Sequence, residues 1–131
     1  MTRILGVGVD IVERERIERL LERHGEAFLR RVFRAGEVRL GAGTPRRAAH
    51  VAGLFAAKEA TMKALGTGWA EGIGFLQIEV LRQPSGAPAL ELHGEARRRA
   101  DGLGVERLWL SISHDGPSAV AFVVLEGDRN V

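Results

Sequence analysis

Two lysines and a glutamate form the densest group of chemically useful side chains, in the stretch AAKEATMKALGTG at residues 56–68. Lys58 and Lys63 are the only lysines in a chain that otherwise uses arginine for positive charge. Glu59 and Lys63 are four residues apart and therefore share a helix face. The stretch ends at Gly66-Thr67-Gly68, where exposed backbone N–H groups beside a lysine favour phosphate binding. The simpler alternative is a surface Glu–Lys pair and a second lysine at the edge of the core.

A second carboxylate, Asp10, lies near the end of the first apolar segment. Aspartate and glutamate oxygens suit magnesium when a substrate supplies phosphate oxygens as the remaining ligands. The alternative is that Asp10 caps the helix that follows it. A further candidate is His114, which lies in SISHD where a strand ends and a turn begins. No Gly-x-Ser-x-Gly motif surrounds Ser113, so a catalytic triad is not predicted.

The first strand must position Asp10. Residues 3–12 alternate with the period of a strand, and we expect one face to point into the core, namely Leu5, Val7, Val9 and Ile11. The opposite face is predicted to carry Ile4, Gly6, Gly8 and Asp10. Two missing side chains beside a carboxylate let another part of the molecule approach the backbone closely.

Two long helices are predicted from apolar residues that recur every three to four positions. The first begins at Glu13, ends near Gly25 and carries a basic stripe of Arg16, Arg19 and Arg23. A short helix with Phe28 and Phe33 follows it. The second long helix, residues 46–65, has an apolar stripe of Val51, Leu54, Phe55, Met62 and Leu65. Its period places Lys58 on that stripe, and Glu59 and Lys63 beside it.

The rest of the chain is read mainly as strands. We expect strands at 75–82, 89–92, 107–113 and 118–126, with a helix at 94–104. This order predicts an α+β fold with a mainly antiparallel sheet packed with helices, in a single domain over residues 1–131. The last strand, AVAFVVLE, is apolar on both faces. Such a strand needs cover on both sides, and another subunit is one source of that cover.

Composition excludes several classes of protein. The chain has 131 residues and no cysteine, so disulfides and thiolate metal sites are excluded. No apolar run is long enough to cross a bilayer and no signal peptide is visible, so we expect a cytoplasmic protein without a membrane partner. A net charge of +2 is too small to indicate nucleic acid by itself. The arginines at 14–23 also alternate with acids, and few aromatic residues are available for base stacking.

Three segments together resemble the holo-acyl-carrier-protein synthases, which are small, single-domain 4'-phosphopantetheinyl transferases. The segments are GVGVDIVERERI (6–17), FAAKEATMKALGTG (55–68) and LSISHDGPSAVAFVV (110–124). The resemblance spans nearly the whole chain and implies a trimer with sites between subunits. It also implies transfer of phosphopantetheine from coenzyme A to a serine of apo acyl carrier protein, which releases adenosine 3',5'-bisphosphate and serves fatty acid biosynthesis.

The resemblance implies a role for each candidate residue. Asp10 and Glu59 would hold Mg²⁺, and Lys63 would lie by the diphosphate of coenzyme A. His114 and Arg46, with Arg47 as a neighbour, would contact the phosphates of the coenzyme. The set expected to bind the coenzyme is completed by Gly66 and Thr67. The surface expected to dock the acidic carrier protein is the stripe of Arg16, Arg19 and Arg23.

Two positions depart from the family pattern. Leu54 stands where the family commonly has arginine, so we expect one phosphate contact to be absent or supplied elsewhere. Ala27 lies near a position where a basic residue is usual. Lys58 is expected to be structural or to reach the coenzyme. The alternatives to this function are a nucleic-acid-binding module, a trimeric scaffold with a degenerate site, and a transferase that serves peptide- or polyketide-synthase carriers.

Overall fold

The computed structural model describes residues 1–67 and 72–128. Its helices are α1 (Arg14–His24), α2 (Glu26–Val32), α3 (Arg47–Leu65) and α4 (Gly94–Leu103). Its strands are β1 (Arg3–Glu13), β2 (Ile78–Arg82), β3 (Pro88–Leu92), β4 (Val105–Asp115) and β5 (Ser118–Gly127). The predicted element types are confirmed with one exception. Residues 75–77, expected to begin a strand, form a 3₁₀ turn that precedes β2.

The strands form two antiparallel sheets. A three-stranded sheet has the order β1-β5-β4, and β2 pairs with β3 as a separate hairpin. The predicted α+β class with antiparallel pairing is therefore confirmed. In the larger sheet, Asp10 of β1 lies opposite Ala121 of β5, which in turn lies opposite Ile112 of β4. The site candidates Asp10 and His114 thus belong to the two outer strands of one sheet.

Helix α3 packs along this sheet and is buried on nearly all sides. Its buried residues include the predicted apolar stripe and a set of alanines, namely Ala52, Ala56, Ala57, Ala60 and Ala64. The small alanine side chains let α3 lie close to β1. The glycines of β1 are also needed, because a Cβ added at Gly8 would overlap the carbonyl oxygen of Ala60. A Cβ at Gly6 would likewise overlap the carbonyl oxygen of Ala64. Strand and helix therefore meet backbone to backbone.

The prediction that Val7, Val9 and Ile11 face the core is wrong. These side chains are 50%, 48% and 64% exposed, and the glycine-bearing face of β1 is the one that packs on α3. Only that face is flat enough for the helix backbone to approach. Leu5 does pack against the core, because a register shift between Ile4 and Gly6 interrupts the alternation of β1.

The outward face of the larger sheet is unusually apolar in the single chain. Besides the three residues of β1, it exposes Phe122 of β5 at 45% and Trp109 of β4 at 54%. The opposite face of β5 is fully covered, with Ala121, Val123 and Leu125 each 0% exposed. Strand β5 therefore has the two apolar faces expected from its sequence, and the described residues cover only one of them. Within the described residues, no helix is long and apolar enough to cross a membrane.

Candidate active site

Asp10 and Lys63 are joined by an ion pair between β1 and α3. Lys63 lies in the last turn of α3, which rests on the glycines of β1, so its side chain reaches the strand. Its Nζ donates to Asp10 Oδ1 and to the Val9 carbonyl oxygen, both at 3.0 Å. The Asp10 side chain is only 12% exposed, whereas that of Lys63 is 54% exposed. Lys63 is thus a partly exposed cation held next to a more deeply placed carboxylate.

Glu59 lies one helical turn before Lys63 and faces the same region. Burial raises the pKa of Glu59, and the neighbouring Asp10 carboxylate raises it further, whereas Arg16 and Lys63 oppose the rise. Glu59 accepts no hydrogen bond from any residue of the ranges 1–67 and 72–128. The structure therefore brings together the two predicted carboxylates and Lys63, and it leaves the Glu59 oxygens free for a cation. Two close carboxylates repel each other, which a hard divalent ion would relieve.

The three arginines of the predicted docking stripe on α1 have different surroundings. Arg16 lies with its guanidinium 5.2 Å from the centre of the Phe55 ring and close enough to Glu59 to affect its pKa. Arg19 pairs with Glu15 at 3.1 Å on the exposed side of the helix. Arg23 is exposed in the last turn. The predicted docking stripe therefore begins beside the carboxylates and runs away from them along α1.

At the end of α3, the expected free N–H groups of Gly66 and Thr67 are absent. Gly66 adopts a left-handed conformation (φ 78°), and its N–H donates to the Met62 and Lys63 carbonyl oxygens at 3.1 Å. The Thr67 N–H donates to the Met62 oxygen at 3.3 Å. This is the ordinary termination of a helix, whose N–H groups point back into the last turn. Gly68 lies outside the described residues.

Thr67 has one polar group without a partner in the described part of the chain. Its hydroxyl oxygen is buried and has no hydrogen-bond partner among the described residues. Buried hydroxyl groups are usually hydrogen-bonded, so this one has hydrogen-bonding capacity that the described residues do not use. The predicted contribution of Thr67 is thus confined to its side chain.

His114 is held against the first half of α3. Its Nε2–H donates to the Ala49 carbonyl oxygen at 3.0 Å. Gly53 makes this possible, because a Cβ there would lie 2.9 Å from the same nitrogen. His114 and Arg46 line one cavity of about 510 Å³, together with Arg39, Leu40, Ala49, His50 and Arg82. An adjoining cavity of about 170 Å³ shares Arg39, His50, Arg82 and His114 and includes Leu54 in its wall.

Three cavity residues were missed by the sequence reasoning. Arg39 comes from the glycine-rich loop, His50 from the first turn of α3 and Arg82 from the end of β2. The His50 Nε2 accepts the backbone N–H of Arg39 at 3.2 Å. Burial lowers the pKa of His50, and the positive charges of Arg82, Arg39 and His114 lower it further. No periodicity links these three segments, and the adjacent arginines at 46 and 47 were the only local signal.

Arg47 points away from this cavity. Its guanidinium donates to the Leu40 carbonyl oxygen at 3.1 Å and to Glu26 Oε1 at 3.2 Å. It therefore ties the loop and α2 to the start of α3. Of the two adjacent arginines, Arg46 is the one that lines the cavity.

Lys58 is structural. Its side chain is 0% exposed, and its Nζ donates to Glu37 Oε1 at 2.8 Å and to the Val32 and Phe75 carbonyl oxygens at 2.8 and 3.1 Å. The ammonium also lies 5.0 Å from the centre of the Phe33 ring. Burial lowers the pKa of Lys58, and the hydrogen bond and charge of Glu37 counteract this. Of the two expectations for Lys58, the structural one is supported, since this set of contacts turns the side chain into the core.

Comparison with known proteins assigns the class. Residues 6–122 match the model of the 4'-phosphopantetheinyl transferase superfamily. A holo-[acyl-carrier-protein] synthase of Solidesulfovibrio magneticus is 49% identical over 95% of this chain and 99% of its own length. The crystal structure of such a synthase from Bacillus anthracis, in complex with CoA (3',5'-ADP), is 40% identical with a TM-score of 0.77 and covers 95% of this chain and 98% of that one.

A synthase from Helicobacter pylori, solved in complex with coenzyme A, is 35% identical with a TM-score of 0.79. It covers 91% of this chain and 98% of its own. The chain belongs to the 4'-phosphopantetheinyl transferase superfamily and, within it, to the holo-[acyl-carrier-protein] synthases. The family indicated by the three sequence segments is thereby confirmed.

Proposed function

We propose that this chain transfers 4'-phosphopantetheine from coenzyme A to a serine of apo acyl carrier protein, with Mg²⁺, in the cytoplasm and for fatty acid biosynthesis. The observation that carries the proposal is the convergence of Asp10, Glu59 and Lys63 between β1 and α3. Support comes from the names of the relatives and from the solved complexes of similar synthases with coenzyme A.

The donor set at Asp10 and Glu59 fits a magnesium ion. Both ligands are carboxylates, Glu59 accepts no hydrogen bond within the described residues, and the Asp10 charge raises the Glu59 pKa. These are hard oxygen ligands that a divalent cation would stabilise in the charged form. A bound Mg²⁺ would supply charge neutralisation at the phosphoryl oxygens. Another cluster of possible metal ligands consists of Glu79, Glu91 and His93. It lines neither of the two cavities beside His114, and its histidine already pairs with Glu79 at 2.9 Å.

The chain's own residues bring the reactants together and balance their charge. In the reaction, the serine oxygen of the carrier forms a bond to the phosphorus that bears pantetheine. The bond from that phosphorus to the oxygen of the adenosine bisphosphate breaks, and the serine proton is lost. Lys63 lies beside the carboxylates and supplies a fixed positive charge for the negative charge that develops on the transferring group. Arg46 and His114 line one cavity, where they would contact the phosphates on the adenosine side of the coenzyme.

The arginines of α1 dock the carrier protein. Acyl carrier proteins are acidic, and Arg16, Arg19 and Arg23 present a row of positive charge that starts next to Glu59. Such exposed charges mainly increase the association rate and make binding sensitive to salt. The position of Arg16 gives it a second task, since it also limits the rise in the Glu59 pKa.

The functional unit is a homotrimer with each site built from two chains. His50 and Glu59 are nine residues apart on α3, about two and a half turns, so they project from opposite sides of the helix. A single extended ligand cannot contact both within one chain because the helix is buried between them. The exposed apolar sheet face beside Asp10 provides the surface on which a second chain can pack.

The first experiment measures the intact mass of apo acyl carrier protein after incubation with this protein, coenzyme A and magnesium. We expect a mass gain of one phosphopantetheine, lost with a chelator and lost in Asp10→Ala and Glu59→Ala. Turnover by either variant at a near-normal rate would contradict the role of the carboxylates. No gain with several carriers from a folded protein would contradict the proposed function.

Shared sites are tested by mixing two inactive variants. Glu59→Gln and His114→Ala chains are unfolded and refolded together, so that mixed trimers form. In a mixed trimer one of the three interfaces combines an intact Glu59 from one chain with an intact His114 from the other, which is about a quarter of all interfaces in an equal mixture. We therefore expect partial recovery of transfer in the mixture and none when the variants are refolded separately. No recovery from confirmed mixed trimers would place each site within a single chain.

A further inference from the structure

The paired cavities beside His114 have the charge pattern of a site for a phosphate dianion. Their linings include Arg39, Arg46 and Arg82, and among the described residues neither cavity has a free carboxylate. Glu37 lines the smaller one, but its side chain is 1% exposed, and its oxygens accept from Lys58, from the Arg34 N–H and from the Val80 N–H. The net charge that faces the ligand is therefore strongly positive.

The two arginines that line both cavities come from different walls. Arg39 is carried by the loop after α2, and Arg82 ends β2. Both are exposed, and both are near enough to His50 to lower its pKa. Leu54 contributes only apolar surface to the smaller cavity. The positive charges that face a ligand in this cavity thus come from Arg39 of the loop and Arg82 of β2, and not from residue 54 of α3.

His50 holds the loop that forms one wall of the cavities. Its Nε2 accepts the Arg39 N–H at 3.2 Å, so this nitrogen carries no proton and the imidazole is neutral. The loop that bears Arg39 is rich in glycine, with left-handed conformations at Gly36 and Gly43. Its other anchors hold the neighbours of Arg39, namely the buried Glu37 and the Leu40 carbonyl oxygen, whereas the bond from His50 is made to Arg39 itself. A hydrogen bond from the rigid helix α3 to this loop therefore sets the position of Arg39 over the cavity.

We propose that Arg39 and Arg82 hold a phosphate monoester of the donor substrate and that His50 is a positioning residue for Arg39. The inference rests on the proposed function, which makes the 3'-phosphate of coenzyme A the group concerned. The pair makes the enzyme select coenzyme A over dephospho-coenzyme A, which lacks this phosphate. Guanidinium groups suit this task because they present several donors to phosphate oxygens at once.

The test compares the two donors in wild type and in Arg39→Gln, Arg82→Gln and the double variant. We expect each single change to raise the KM for coenzyme A about tenfold, which is the loss of one charge-assisted hydrogen bond. The KM for dephospho-coenzyme A and the kcat with either donor should not change. Arg98→Gln is the matched control, since Arg98 is an exposed arginine on α4 that lines neither cavity.

His50 is tested by two replacements that differ in one property. His50→Phe removes the acceptor for the Arg39 N–H, and His50→Gln keeps one. We expect His50→Phe to raise the KM for coenzyme A and His50→Gln to restore most of the wild-type value, with dephospho-coenzyme A unaffected in both. Loss of kcat with both donors, or equal behaviour of the two variants, would show that His50 does not position Arg39.

A binding measurement separates this inference from the proposed function. Calorimetry with adenosine 3',5'-bisphosphate and adenosine 5'-monophosphate needs no carrier protein and no turnover. We expect wild type to bind the bisphosphate at least tenfold more tightly and the double variant to bind both alike. Equal binding of both nucleotides by wild type, or an unchanged ratio in the double variant, would overturn the inference. Absence of transfer together with the expected binding ratio would overturn the proposed function alone.

Discussion

Replacing Lys58 with methionine would break the most deeply buried ion pair in the described part of the chain. Methionine retains most of the volume of the lysine side chain but carries no charge and no donor. The Glu37 carboxylate, 1% exposed, would keep only the Arg34 N–H at 2.7 Å and the Val80 N–H at 2.9 Å. It would then be a buried charge without a counterion, and the Val32 carbonyl oxygen would lose its donor from Lys58.

The expected cost follows from this loss. Removing one partner of a buried, hydrogen-bonded ion pair costs about 3–5 kcal/mol, because the remaining charge stays desolvated. That is a large part of the roughly 5–15 kcal/mol by which a folded domain is stable. For a chain of this length, we expect the melting temperature to fall by roughly 10–15 °C.

Urea unfolding followed by circular dichroism, at one fixed protein concentration, measures this cost. Lys63→Met is the matched control, because the Lys63 end of its ion pair is 54% exposed and water can reach the pair, and we expect it to cost about 1 kcal/mol or less. The double variant Lys58→Met/Glu37→Gln removes both charges. It should be clearly more stable than the sum of the two single changes predicts, since no unpaired charge remains. A cost below about 1 kcal/mol for Lys58→Met, or simple additivity in the double variant, would refute the reasoning.

Three further outcomes follow from the described contacts. Gly8→Ala should destabilise the protein by about 1–3 kcal/mol in urea unfolding, because its Cβ would overlap the Ala60 oxygen, whereas Gly102→Ala in α4, with open space around it, should be neutral or stabilising. The pKa of His50 is lowered, so its contribution to stability is present above pH 6.5 and is lost as pH falls through the folded-state pKa. In thermal melts, the melting temperature of His50→Gln should therefore fall less on acidification than that of wild type. Arg23→Glu should raise the KM for carrier protein, more at low salt, and leave the KM for coenzyme A unchanged, and an unchanged carrier KM would move the docking surface elsewhere.

The elements of this fold could be predicted from sequence because each has a clear period or a clear terminator. Helix α3 is the best example, since its regular apolar positions and the Gly66 at its end bracket the observed helix closely. Alternation could not say which face of β1 is buried. Whether the Val7 face or the Gly8 face is buried depends on the element that packs against β1. Here that element is α3, whose alanines pack closely against the flatter, glycine-bearing face.

The candidate site was predictable only in part for a related reason. Asp10, Glu59 and Lys63 lie in two segments whose residue types already pointed to phosphate chemistry. The wall of the cavity combines Arg39, His50 and Arg82 from a loop, a helix and a strand end, which no local pattern connects. The burial of Lys58 depends on its ion pair with Glu37, which lies twenty-one positions earlier in the chain. Nothing in the sequence around Glu37 indicates this pairing.

The two glycines of β1 also determine how this chain can diverge. Because the strand that bears Asp10 rests directly on main-chain atoms of the helix that bears Glu59, backbone contact at Gly6 and Gly8 sets the separation of these carboxylates. Substitutions among the leucines, valines and phenylalanines of the interior that preserve this contact would alter stability while leaving the two carboxylates in place. The core residues can therefore vary in evolution. Substitutions that inactivate the protein by displacing the two carboxylates should occur at Gly6, Gly8 and the alanines they contact.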